Sequence, residues 1–261
     1  MPELLTQYGT IDEVWFDGAC GEGPNGKRQE YDWKSYYDTV YGHNPTAVIA
    51  ICGPDVRWVG NESGVARPGE SSVQTRDGKP VWYPAECDVS IRPGWFYHAN
   101  QDEEVKSLDH LMDLYFKSVG RNSVLLLNVP PDRRGLLADP DVARLRELRQ
   151  LLDETFGTNL AAGAAVEASA VRGGGDRYGA QRVLDGDLDT YWATDDGTKE
   201  GWLELHLPKP VTFNVLNVQE ALLLGERVEQ YRVEAEVDGS WTTVGSGTVI
   251  GHRNLIRTPR T

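Results

Sequence analysis

At 261 residues, 39% hydrophobic and 25% charged, the chain has the composition of a soluble globular protein with room for two modest domains. A formal net charge of -14 argues against a nucleic-acid or anionic-membrane partner, since both reward clustered Lys and Arg. No apolar run approaches the ~20 residues of a membrane span, and Cys20, Cys52 and Cys87 are too few and too irregular for a disulfide framework or a zinc site.

Residues 3–8 read as the end of a helix that stops at Gly9. Residues 11–16 form a short, apolar, β-inclined run that breaks abruptly at Asp17-Gly18 into a glycine-rich loop. A buried parallel strand ends in this way when it delivers a carboxylate to an open rim, although an ordinary Asp-Gly turn has the same local signature. Trp15 lies two positions before Asp17 and so shares its side of the strand. Residues 31–41 carry Trp33, Tyr36, Tyr37 and Val40 at helical spacing, and residues 47–51 predict a second strand. Cys20 and Cys52 each follow a strand and read as small buried thiols. A loop covers residues 53 to 72, residues 89–91 are a weaker strand, and residues 94–98 are an aromatic segment. Residues 105–119 predict an amphipathic helix with Val105, Leu108, Met112, Tyr115 and Val119 on one stripe. Residues 123–129 are an apolar strand that stops at Pro130-Pro131. The next helix starts with Asp139 as N-cap and Pro140 at its first position, and Gly157 closes it.

This alternation is the pattern of parallel βα units. The unusual chemistry falls in the loops after strands: Asp17, then residues 57–62, 95–98 and 132–134. A β/α barrel builds its active site from such loops, but needs about 250 residues and eight strands. The expected fold class is therefore α/β, a partial (β/α) barrel spanning residues 1–157. Its earlier strands are expected upstream of Met1, with one sheet edge left open. Residues 158–165 read as a small-residue linker. Beyond it, alternating runs at residues 202–207, 213–218, 231–237 and 241–244, separated by turn signals, predict an all-β sandwich over residues 166–261. A further strand near the chain end leaves that sandwich without a closing element, so it too is expected to be incomplete.

Three stretches carry a resemblance: Trp15-Phe16-Asp17-Gly18-Ala19, the run from Cys52 through Arg57-Trp58-Val59-Gly60-Asn61-Glu62, and Leu127-Asn128-Val129-Pro130-Pro131-Asp132. The segment from Glu86 through Ser90-Ile91-Arg92-Pro93-Gly94-Trp95 matches as well. Together they make residues 1–157 similar to the α-L-fucosidases of glycoside hydrolase family 29, in the branch that prefers α-1,3 and α-1,4 linkages. The resemblance implies a retaining exo-glycosidase with Asp17 as nucleophile and Glu62 as general acid/base. It implies no catalytic cofactor, a fucosylated oligosaccharide or glycoconjugate as partner, and an extracellular or periplasmic setting. Retention needs two carboxyl groups about 5 to 5.5 Å apart whose environments push their pKa values apart; the company of Trp58, Val59 and Val65 suits Glu62 to the acid role. The family's first strands, with the histidines that hold the fucose hydroxyls, have no counterpart in these residues. Activity of this stretch alone is accordingly expected to be weak or absent, and a non-catalytic carbohydrate-binding protein is the alternative.

The resemblance also implies that Trp15 contacts the sugar beside the nucleophile and that Trp95 forms an apolar wall for the fucose methyl group; packing in the barrel is the other reading of both. Under the same resemblance Trp58 is expected to offer a stacking surface to the sugar that carries the fucose. Glu86 either binds a sugar hydroxyl or pairs with Arg92. The C-terminal residues, notably 185–194 and 202–205, are similar to discoidin-like, galactose-binding sandwich domains. In these, oxygens around Asp187 and Thr190 suit a structural calcium, and an Asp-Gly turn without metal fits equally well.

Overall fold

The computed structural model describes residues 1–18 and 29–259; Cys20 and most of the glycine-rich loop after Asp17 lie outside them. Helix α1 (Pro2–Gln7) precedes strand β1 (Glu13–Phe16). Helix α2 (Trp33–His43) opens with the Asp32 carboxylate accepting the Ser35 N–H at 3.1 Å. It covers the back of β1 through Phe16, Trp33 and Tyr36, whose rings pack together. Strand β2 (Val48–Ile51) follows, then the short β3 (Arg57–Trp58) inside the stretch expected to be loop, and then, just beyond that stretch, a hairpin of β4 (Val73–Arg76) and β5 (Lys79–Trp82) that the sequence reading did not mark. Its turn, Asp77-Gly78, has positive φ at both residues, which is the hairpin geometry.

Strand β6 (Ala85–Ser90) is longer than expected and buried along its whole length. Helix α3 (Leu108–Lys117), strand β7 (Ser123–Asn128) and helix α4 (Asp139–Phe156) complete this half. The start of α4 differs by one residue from expectation: Ala138 is the N-cap and makes no side-chain cap, and Gly157 closes the helix with an ordinary φ of -69°. Asp141, in the first turn, is fully buried against Arg92.

β1 pairs with β2, and β3, β6 and β7 lie in that order, all parallel. A single parallel bridge between Ala50 and Val56 sets the first sheet beside the second. These sheets are open; among the described residues nothing closes them into a barrel. One face of the second sheet packs Val89 with Leu111, Leu114 and Phe116 of α3 and Leu148 of α4. On the other face Trp58, Val124 and Leu126 are exposed. No helix of the described residues is long and apolar enough to cross a membrane.

The C-terminal residues form six strands in three antiparallel pairs. β8 (Ala165–Ala168) joins β9 (Leu203–His206), β10 (Val215–Val218) joins the last strand, and β11 (Tyr231–Val237) joins β12 (Ser240–Gly247). The last strand, β13 (Asn254–Arg257), places Leu255 inside the same core as α3 and α4. Polar contacts reinforce that junction. The Glu226 carboxylate accepts the Ser72 N–H at 2.8 Å, the Asn122 side-chain amide at 2.6 Å and the Ser71 hydroxyl. Asn122 in turn accepts the His252 N–H at 2.7 Å.

Candidate active site

Asp17 directly follows the C-terminal end of β1, and Glu62 lies in the loop after β3. Because both strands belong to one parallel series, the two residues emerge on the same rim. Both are solvent-exposed, so the apolar shielding expected of Glu62 is not supplied by Trp58, Val59 and Val65.

The strand end before Asp17 is tightly framed. Phe16 is in register with Ile51, and the Cys52 N–H donates to the Phe16 carbonyl at 3.2 Å. Tyr37 holds the next peptide unit, its hydroxyl donating to the Cys52 carbonyl at 2.6 Å. Ile51 holds φ of 69°, a conformation that a β-branched residue adopts only under strain. A side chain at Gly18 would collide with the Cys52 sulfur, which explains a glycine directly after the carboxylate. Cys52 is a free thiol and half-buried, less enclosed than expected, whereas Cys87 is buried and free.

Glu62 sits in a turn pinned on both sides by Asn61. The Asn61 side chain accepts the Ser63 N–H at 3.1 Å and donates to the Val65 carbonyl at 2.9 Å. Gly64, at φ of 72°, then lets the loop lie against Val89 and Leu114 of the core. Arg57 and Arg67 both bind Glu70, which is buried, and so tie off the loop's far end.

Between these carboxylates, β1, β3 and β6 present paired tryptophans and acids. The Trp15 indole donates to Glu86 at 2.7 Å, and the Trp58 indole donates to Asp88 at 2.6 Å. Glu86 and Asp88 alternate on β6 and therefore share a face. Both tryptophans keep an exposed surface of about two-fifths, 38% for Trp15 and 42% for Trp58, while Glu86 is wholly buried. Burial first, and then contact with the Glu13 carboxyl, push Glu86 up to about 8, against the lowering effect of the Trp15 hydrogen bond. The expected alternative, a Glu86–Arg92 pair, does not form. Arg92, fully buried, makes a two-oxygen contact with Asp141 at 2.8 and 2.9 Å and lies 2.9 Å from Asp102. That pairing fixes the loop after β6, with the Arg92 guanidinium over the Tyr97 ring. Trp95 in this loop is half-buried, and its carbonyl accepts the Asn128 side-chain amide at 3.1 Å.

Sequence reasoning named Asp17, Glu62, Trp15, Trp58, Glu86 and Trp95; Asp17, Glu62 and Trp95 lie in loops that follow strands β1, β3 and β6, whereas Trp15, Trp58 and Glu86 lie within those strands. It missed Glu13, Asp88 and Asn128. Glu13 and Asp88 were legible in principle, as the same-face partners of Trp15 and Glu86 by strand alternation. Asp187 and Thr190 lie apart, in the sandwich. Asp187 accepts the Asp189 N–H at 2.9 Å, and the Thr190 hydroxyl donates to Asp185 at 2.6 Å. Oxygen donors of this kind suit a hard cation, and here they also close the turn. Among the described residues no three His, Cys, Asp or Glu side chains are grouped to hold a metal.

Residues 1–155 match the family described as Alpha-L-fucosidase, and residues 165–259 match the F5/8 type C domain. Alpha-L-fucosidase 1 of Arabidopsis thaliana is 40% identical over 278 residues, covering 98% of this chain and 54% of its own. A Ruminococcus gnavus family 29 fucosidase solved in complex with fucose superposes with a TM-score of 0.84 at 35% identity, covering 96% of this chain and 55% of its own. Another solved structure, SpGH29, gives 0.87 at 33% identity over 96% of this chain and 58% of its own. The chain thus spans about half the length of the curated relatives it matches. With a discoidin-like domain at its C-terminal end, the chain belongs to the glycoside hydrolase family 29 α-L-fucosidases.

Proposed function

We propose that this chain supplies the catalytic carboxylates of a retaining exo-α-L-fucosidase acting on terminal α-1,3- or α-1,4-linked fucose of a glycan. The observation that carries the reading is the placement of Asp17 and Glu62 on one rim, at the ends of β1 and β3, within the stretch that matches the family. The open parallel strands are read as half of a barrel wall whose inner face bears Trp15, Trp58, Val124 and Leu126, all exposed. In the first step Asp17 attacks the anomeric carbon while Glu62 protonates the departing glycosidic oxygen. In the second, Glu62 takes a proton from water, which displaces Asp17 and restores the original configuration. Trp15 packs beside the nucleophile, Trp95 faces the fucose methyl group, and Trp58 offers a stacking surface to the next sugar.

Binding contacts decide how much of this chemistry 261 residues can perform. Positioning supplies about 7 to 11 kcal/mol of barrier reduction, and a misplacement of about 1 Å costs ~100-fold. The relatives are roughly twice as long, so the polypeptide of these 261 residues alone is expected to hydrolyse a fluorogenic α-L-fucoside negligibly. Joined to the part of such a relative that it does not match, it should turn the substrate over, and Asp17→Ala should lower that rate by at least about 1000-fold. An unchanged rate in the Asp17→Ala protein would remove Asp17 from the mechanism, and sugar binding without turnover in the joined protein would favour a carbohydrate-binding role.

A further inference from the structure

Glu13 and Glu86 belong to strands that are not hydrogen-bonded neighbours, yet each buries a carboxyl oxygen without a partner beside Trp15, which bonds Glu86 from β1. Glu13 stands two residues before Trp15 on β1 and shares its face, and Trp15 occupies one oxygen of Glu86 from that side. The remaining oxygen of Glu86, Oε2, is buried, and so is Oε1 of Glu13; neither meets a donor among the described residues. Two neighbouring carboxylates, each with an oxygen buried away from any donor, cannot both stay ionised without a cost. One proton held between them satisfies both orphaned oxygens at once.

We propose that Glu13 and Glu86 share one proton, and that this pair is a positioning device that holds the Trp15 indole and with it the strand end that carries Asp17. The role deepens the fucosidase reading and rests on it, while the shared proton itself does not. Other groups around Glu86 act in the same direction. Asp88, on the same face of β6, opposes its ionisation, and the in-register residues on β3 and β7 are Trp58 and Val124, neither charged. The pair also ties β1 to β6 across the two strands between them, in a part of the sheet where β1 pairs with β2 alone among the described residues.

Indole N–H resonances of the full chain test this. The Trp15 signal is identified as the one missing in Trp15→Phe, and its shift is followed from about pH 6 to about pH 10. In the unaltered chain it should titrate with an alkaline midpoint. Glu86→Gln replaces the shared proton with a permanent amide donor toward Glu13; it should keep the resonance at its low-pH position and abolish the titration. Glu13→Gln removes the facing charge and should lower the midpoint by about one unit or more. A Trp15 resonance that does not titrate, or a Glu86→Gln chain that titrates as before, overturns the proposal. Should the variants fail to fold, carboxyl ¹³C resonances of the unaltered chain decide: Glu13 and Glu86 moving together support it, and two independent midpoints in the ordinary carboxylate range overturn it. No sugar enters either readout, so a failure of fucoside hydrolysis and a failure of the shared proton are separate results.

Discussion

Glu86 shows at the scale of one residue how a site is held together at a cost. It is fully buried, and its carboxyl is pushed from an ordinary 4.5 up to about 8, by burial first and by Glu13 second. The folded chain therefore keeps a proton that the unfolded chain releases. Below about pH 4.5 both states are protonated and the site is neutral to stability; as pH rises toward about 8, stability falls, by about 1.4 kcal/mol per unit at most. Glu86→Gln should flatten that dependence, so denaturant midpoints measured at pH 5 and pH 8 should lie closer together than in the unaltered chain. Equal spacing in both proteins would contradict the assignment. Arg92 is the opposite case. It too is buried, but two-oxygen pairing with Asp141 lets it stay charged and brace the loop that bears Trp95.

At the scale of elements, the loop after β3 matters most, since it carries Glu62 and is held from two sides. Glu70 binds it to Arg57 within the first half, and Glu226 of the sandwich grips Ser71 and Ser72. Glu226→Ala leaves the Ser72 N–H without its acceptor and removes one of the Asn122 amide's three acceptors, and should cost about 1 to 3 kcal/mol. A thermal melt of that variant should show the loss, and an unchanged midpoint would mean that the junction is held by Leu255 and its apolar neighbours alone. Most of these elements were legible in the sequence. The strand before Asp17, the helix at residues 105–119 and the alternating runs after residue 200 were marked by hydrophobic period and turn residues, and they formed within a few residues of expectation. The β4–β5 hairpin was missed because its strands, Val73–Arg76 and Lys79–Trp82, are polar and outward-facing, with little hydrophobic alternation. Of the two readings of Glu86, the pair with Arg92, suggested by a separation of only six residues, does not form. The real contacts are Trp15, 71 residues back in the chain, and Glu13 beside it, and only the sheet topology brings them together.

For the whole molecule, the first half and the sandwich share one core, so that Leu255 packs with helices more than a hundred residues earlier. The opposite margin is less protected. Beside β1 a cavity of about 290 Å³ is lined by Met1, Leu4, Leu5, Tyr8, Ile11, Glu13, Val14 and Trp15, mostly apolar. A mostly apolar margin next to a strand that is paired on one side alone among the described residues is an association hazard. The 261-residue polypeptide should bind a hydrophobic dye or self-associate in sedimentation, and a monomer that binds no dye would contradict an open edge. The central claim, that Asp17 is the nucleophile of a retaining fucosidase, is tested most directly by trapping. A 2-deoxy-2-fluoro fucosyl fluoride slows release of the glycosyl-enzyme, so the chain joined to the unmatched part of a relative should gain one fluorofucosyl group. Peptide mass spectrometry should place that group on Asp17, and its appearance on another carboxylate, with Asp17 unlabelled, would contradict the account.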